Sequence, residues 1–197
     1  MKIAHWLSVA FAALSFVSAH ANLAPDAQVK AVATDVTQVL KTDPSVLGNP
    51  AKLRDLIEVK LLPNFDFKRM TQLAMGRNWA RATPEQQAEL TREFQTLLVR
   101  TYSGALANFR NNTIDYKPLR MQPNDTDVTV RTVVNQPNGQ GIPIDYSMEK
   151  GADGQWRAYD VVLAGVSLVT NYRDEFNGIV RDQGVDALVK QLQAKNK

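Results

Sequence analysis

The hydrophobic period of this 197-residue chain changes once, near residue 111, and that change constrains the fold more than any other feature. Before it, apolar residues recur every three or four positions; after it, they alternate. The first period gives a helix one buried stripe, and the second gives a strand one buried face. A block of helices, then a block of strands, then helices again is the order of an α+β domain, because a parallel sheet would interleave the two.

The helical half is well punctuated. Val29, Val32, Val36, Val39 and Leu40 predict a helix over Pro25–Lys41, broken by Asp43-Pro44 and Gly48-Asn49. Asn49-Pro50 is an N-cap followed by proline in the first turn, and Leu53, Leu56, Ile57 and Leu61 then form one stripe. Asp66 is placed to cap a third helix carrying Met70, Leu73 and Ala74, with Gly76 at its end. Thr83-Pro84-Glu85-Gln86 predicts a capping box, in which Thr83 accepts from the Gln86 N–H and the Gln86 side chain reaches back. The apolar positions that follow, from Leu90 to Phe109, predict one helix over Pro84–Arg110, roughly 40 Å long at 1.5 Å per residue.

The alternating half predicts an antiparallel meander of about four strands. Ile114 and Tyr116 begin it, and Val128, Val130, Thr132 and Val134 mark the second strand. Ile142, Ile144, Tyr146 and Met148 mark the third, and Gly151-Ala152-Asp153-Gly154 turns the chain back along Gln155–Leu163. Two helices follow, one after Gly165 and one after Gly184. Helices packed on one concave sheet face make a cone, and a cone readily holds a ligand cavity.

The first residues read as a secretory leader. Met1-Lys2 is positive, Ile3–Val17 is an apolar run interrupted only by His5, Ser8 and Ser15, and Ala19-His20-Ala21 is a small-x-small cleavage site. The apolar run is short for a membrane span and no basic stop-transfer cluster follows it. Cleavage near Ala21 leaves residues 22–197 as one expected domain. The leader removes both histidines, His5 and His20, and the chain has no cysteine. The mature chain therefore lacks a Ser-His-Asp triad, a Cys-His pair and any imidazole base. A transition metal would have only carboxylates to bind, so no metal or cofactor is expected. Neither GxxxxGK[ST] nor GxGxxG occurs, and the net charge of +3 on the whole chain is too small and mixed in sign to favour nucleic acid.

Two polar groups invite chemistry. Tyr159 and Asp160 sit side by side on a strand, where adjacent side chains point to opposite faces and cannot share one cavity. Arg100, Tyr102, Asn171, Tyr172 and Arg173 are either solvated arginines with tyrosines at the core margin or a cavity mouth that grips a phosphate. Likewise, Phe94, Leu97, Leu98, Tyr102 and Leu106 either fill a core or line a pocket.

Several blocks resemble the periplasmic phospholipid-binding proteins of the MlaC or toluene-tolerance family. They are Phe65-Asp66-Phe67-Lys68-Arg69-Met70-Thr71, Ala74-Met75-Gly76-Arg77-Asn78-Trp79 and Ala82-Thr83-Pro84-Glu85-Gln86-Gln87. Leu98-Val99-Arg100-Thr101-Tyr102, Ile142-Pro143-Ile144-Asp145-Tyr146, Tyr159-Asp160-Val161 and Gly165-Val166-Ser167-Leu168-Val169 followed by Asn171-Tyr172-Arg173 continue in order. Ala164 departs from the pattern, which favours an acidic residue there.

The resemblance implies an NTF2-like curved sheet wrapped by helices, enclosing an apolar cavity with acyl chains inside. It implies a non-enzymatic carrier in the periplasm, neither a stable membrane protein nor a nucleic-acid binder. Its cargo would be phospholipid, passed between an outer-membrane lipoprotein–porin complex and an inner-membrane ABC transporter with an MCE protein, so maintaining outer-membrane asymmetry. Hopanoid or other isoprenoid cargo, an NTF2-like enzyme on a small apolar substrate, and an interaction module with a solid interior are the alternatives. On the carrier reading the tails are expected against Met70, Leu73, Phe94, Leu97, Leu98, Leu106, Val130, Tyr146 and Val161. The headgroup is expected near Arg100, Tyr102, Tyr172 and Arg173.

Overall fold

The computed structural model describes residues 23–106, 112–137 and 139–197. The leader assigned to residues 1–21, and Phe109 and Arg110 of the long apolar pattern, lie outside the described residues. Among the described residues no helix is long and apolar enough to cross a membrane.

The architecture is α+β, with helices on both sides of the strands in sequence. Helix α1 spans Pro25–Thr42, α2 Pro50–Leu56, α3 Phe67–Met75 and α4 Pro84–Tyr102. The strands are β1 Thr113–Tyr116, β2 Asp127–Asn135, β3 Ile142–Lys150, β4 Trp156–Leu163 and the short β5 Val166–Ser167. Helices α5 Leu168–Gln183 and α6 Val185–Lys195 complete the chain. The five strands form one open antiparallel sheet in sequential order.

The local signals act where the sequence places them. Asn49 accepts from the N–H groups of Ala51 and Lys52. Asp66 accepts from Arg69 N–H, and the Thr83–Gln86 capping box is present in both directions. Gly76 ends α3 at φ 54, in the region that favours glycine. Two helices are shorter than their apolar patterns. The second turns into a π-turn over Ile57–Leu61 and a 3-10 turn over Leu62–Asn64, where Pro63 removes a donor. The long helix ends at Tyr102 and tightens into a 3-10 turn over Ser103–Ala105, at the weak helix former Gly104.

Among the described residues the apolar interior is divided into three clusters. The largest joins α3, α4, α5 and α6 through Met70, Phe94, Leu98, Phe176 and Leu188. A second lies on the sheet, around Val128, Val130, Met148, Trp156 and Ala158. The third joins α1 to α2 through Val36, Leu40, Val46 and Leu56. Polar contacts tie the pieces together. The nearly buried Gln28 of α1 donates from Nε2 to Asn64 Oδ1 and to the Trp156 carbonyl, both at 2.9 Å. Asp66 N–H donates to the Ala158 carbonyl at 2.9 Å, fastening the start of α3 to the edge of β4.

Candidate functional site

The space between these three clusters is the candidate site. Alternation places Ile144, Tyr146 and Met148 of β3 on one face of the sheet, beside Val128, Val130 and Thr132 of β2. Tyr146 is paired with Val130 on one side and with Val161 on the other. Two apolar pockets lie over this face. The first, about 180 Å³, is walled by Val29, Val32, Ala33 and Val36 of α1 and by Met148 and Ala158. The second, about 210 Å³, lies under α3, α4 and the π-turn, against Met70, Leu98, Tyr102, Ile144, Val161 and Leu163. Leu61, Phe65, Leu106 and Tyr146 line both, so these four side chains form the partition between them.

Tyr146 carries a polar group into this apolar wall. Burial pushes its hydroxyl up to about 12, so it stays neutral at any physiological pH. Burial also raises Tyr102, with the nearby Tyr172 as the smaller cause. At the end of the first pocket, Gln28 and Asn64 are already bonded to each other.

The structure distributes the expected tail residues between pocket and solid core. Met70, Leu98, Leu106, Tyr146 and Val161 border the second pocket. Leu73, Phe94, Leu97 and Val130 line neither pocket. Phe94 is fully buried, with its ring 5.1 Å from both Tyr172 and Phe176 in edge-on geometry. Val130 is buried within the sheet cluster. Of the four residues expected at the headgroup, Tyr102 borders the second pocket and Tyr172 is buried beside Phe94. Arg100 donates to the Asn196 carbonyl beyond α6, and Arg173 Nε donates to the Leu73 carbonyl at 3.0 Å. The four do not converge on one opening.

The strand pair Tyr159-Asp160 requires a correction. Strict alternation would send the two to opposite faces, but the register shifts between Ser147 and Met148. The shift is a bulge, and it leaves Ala158 and Val161 both on the pocket face although they are an odd number of residues apart. Asp160 is paired with Ser147 on the outer face, where its carboxylate accepts from Ser167 Oγ at 2.6 Å and from Val169 N–H at 3.1 Å. Tyr159 donates to Asp127 on that same face at 2.9 Å. Both are fastening groups, and neither touches a pocket.

The α1 wall and the partition residues Leu61 and Phe65 stand in the sequence as helix stripe and family block and are not among the expected tail residues. The valine spacing of α1 signals an apolar face without saying whether a neighbour fills the space in front of it. Phe65 precedes the Asp66 cap, a position that often packs back on its own helix, and its ring lies 5.6 Å from that of Phe67.

Fold and pockets together define a class: an α+β domain whose sheet and helices are held apart by a divided apolar space. Residues 30–194 match the model of the MlaC protein family, and the chain belongs to that family. It is 27% identical over 147 residues to the intermembrane phospholipid transport system binding protein MlaC of Haemophilus influenzae, covering 74% of this chain and 69% of the relative. It is 26% identical over 140 residues to the toluene tolerance protein ttg2D of Pseudomonas putida, covering 71% and 64%. A solved structure from Ralstonia solanacearum, a phospholipid-binding protein in complex with a phospholipid, superposes with a TM-score of 0.80. That protein is 44% identical, and the match covers 87% of this chain and 96% of the other.

Proposed function

We propose that this protein is a periplasmic carrier that holds phospholipid acyl chains in the two pockets and passes the lipid between membrane complexes. The observation that carries the reading is the divided apolar space, lined on both sides of Tyr146 almost wholly by hydrocarbon. The phospholipid bound to the 44% identical relative supports it. The headgroup remains outside, in water, and Tyr102, Ser103 and Tyr146 are the polar side chains at the wall of the second pocket.

The physics explains why lipid needs such a vessel. Each buried methylene is worth about 0.8 kcal/mol, so a chain of about 16 carbons holds a lipid in its membrane by roughly 10 kcal/mol. A space lined by aliphatic side chains stays dry even at roughly 150 Å³, and matches that environment in transit. Release then depends on a better acceptor and not on bond chemistry. The inner-membrane ABC transporter with its MCE protein and the outer-membrane lipoprotein–porin complex are the proposed partners between which the lipid passes.

Native mass spectrometry of protein taken from a periplasmic extract tests this. A bound phospholipid mass is expected. Lipid-free protein that takes up nothing from liposomes would overturn the carrier reading, and an isoprenoid mass would overturn the cargo assignment.

A further inference from the structure

A third pocket lies on the far side of α5 and shares no residue with the apolar pair. It holds about 530 Å³ and is walled by charged and amide side chains around one glycine. The 3-10 turn over Gly76–Arg81 contributes Arg77, Asn78 and Arg81; α5 contributes Asp174, Asn177, Gly178 and Arg181. The core-facing residues of α5 are Val169, Tyr172, Phe176 and Val180, so this pocket occupies the helix's other face.

Two features show a preformed site. Asn78 is almost fully buried, and its side chain is held from both ends. Its Nδ2 donates to Asn177 Oδ1 at 2.7 Å, and its Oδ1 accepts from Arg81 at 3.1 Å. Gly178 lies inside a helix, where glycine costs roughly 0.5–1 kcal/mol relative to alanine. Neither strain nor crowding requires it: its φ is not in the left-handed region, and a Cβ would meet nothing within 4 Å. What glycine preserves at that position is the room of the pocket.

The charge selects the ligand. Arg181 is paired with Asp182 at 2.7 Å. Among the described residues Arg77 makes no hydrogen bond or ion pair, and Arg81 bonds only the neutral Asn78. Two guanidinium groups are thus available for a carboxylate, which they bind in fork geometry. Asp174 opposes a dianion such as phosphate in the same pocket, yet offers an acceptor for a peptide N–H. We infer that this pocket docks an acidic segment of a protein partner, its carboxylate on Arg77 and Arg81 and its backbone on Asp174 and Asn177. Because no lining residue is shared, an occupant here does not compete for space with what fills the apolar pair.

The test is NMR titration of the mature chain, lipid-loaded and lipid-free, with a blocked tetraglutamate peptide, and with inorganic phosphate at matched ionic strength. The peptide is expected to shift the Asn78 and Asn177 side-chain amides in both forms, with an affinity that falls as salt screens the exposed arginines. The Arg77→Ala variant, which removes no hydrogen bond or ion pair among the described residues, should weaken binding about tenfold. Gly178→Gln, which fills the pocket from the helix, should block it. Amides that do not move with peptide, that move as far with phosphate, or that respond unchanged in Arg77→Ala would overturn the inference. None of these results bears on lipid content, which the mass measurement reads separately.

Discussion

Phe94→Ala separates a core residue from a pocket residue. The ring is 0% exposed, sits in the four-helix cluster and borders neither pocket. Truncating a fully buried phenylalanine costs about 3–5 kcal/mol, from lost transfer energy and the cavity left behind. The two edge-on contacts, with Tyr172 and Phe176 at 5.1 Å, place the cost in the upper part of that range. For a chain of this size each kcal/mol lowers Tm by about 2–4 °C, so a fall of about 10 °C or more is expected in calorimetry. The folded fraction should still carry the same lipid per chain by native mass spectrometry. Phe65→Ala is the counterpart. Phe65 is half-buried in the partition, so the variant should lose less stability and alter lipid content by merging the pockets. A Phe94→Ala protein that melts normally but carries no lipid would refute the assignment of this ring to solid core.

Other expectations follow from single contacts. Ala164 occupies the left-handed region at φ 50 in the two-residue turn between β4 and β5, beside Gly165 at φ 86. Ala164→Gly should therefore stabilise by about 0.5–1 kcal/mol, read as a rise in the urea midpoint. Asp160→Ala strands the Ser167 hydroxyl and the Val169 N–H at the start of α5, and should cost about 1–3 kcal/mol in the same assay. Asp153 is held down to about 2, first by its hydrogen bond from Arg157. Its contribution is present above the ordinary carboxylate range and is lost as pH falls from about 4 towards 2. In Arg157→Ala a carbonyl-detected NMR titration should find Asp153 raised towards the ordinary range, with the Gln155 N–H still holding it somewhat below. Tyr146 has the opposite sign. With its hydroxyl raised to about 12, the stability it confers is full below the ordinary tyrosine pKa and lost as pH climbs from about 10 to 12. The difference between melts of wild type and Tyr146→Phe should stay constant up to about pH 10 and turn against the wild type across that window.

Much of the fold was legible because its signals are local. Asn49, Asp66 and Thr83 cap the helices they precede, and Gly76 ends the helix it follows, since a cap needs only the neighbouring backbone. The alternation of β2 and β3 named their inner faces, because a period of two admits only two registers and one of them buries polar groups. The bulge in β4 was not legible. It depends on how Ala158 meets both Met148 and the chain at Phe65, which is a fact about three segments.

By itself, then, the sequence determined the fold class, the inner faces of β2 and β3, most helix starts and the absence of histidine and cysteine from residues 22–197, because periodicity, capping and composition are local properties. Only the tertiary structure decided which apolar side chains fill the core and which border empty space. Phe94 and Leu98 lie four residues apart on one helix stripe and are equally buried by pattern, yet one is locked among aromatic rings and the other borders a pocket. A stripe records which face turns away from water. Whether the facing elements close on it or stand apart depends on the separation of α1, the π-turn and the sheet, which long-range contacts such as Gln28 to Trp156 set.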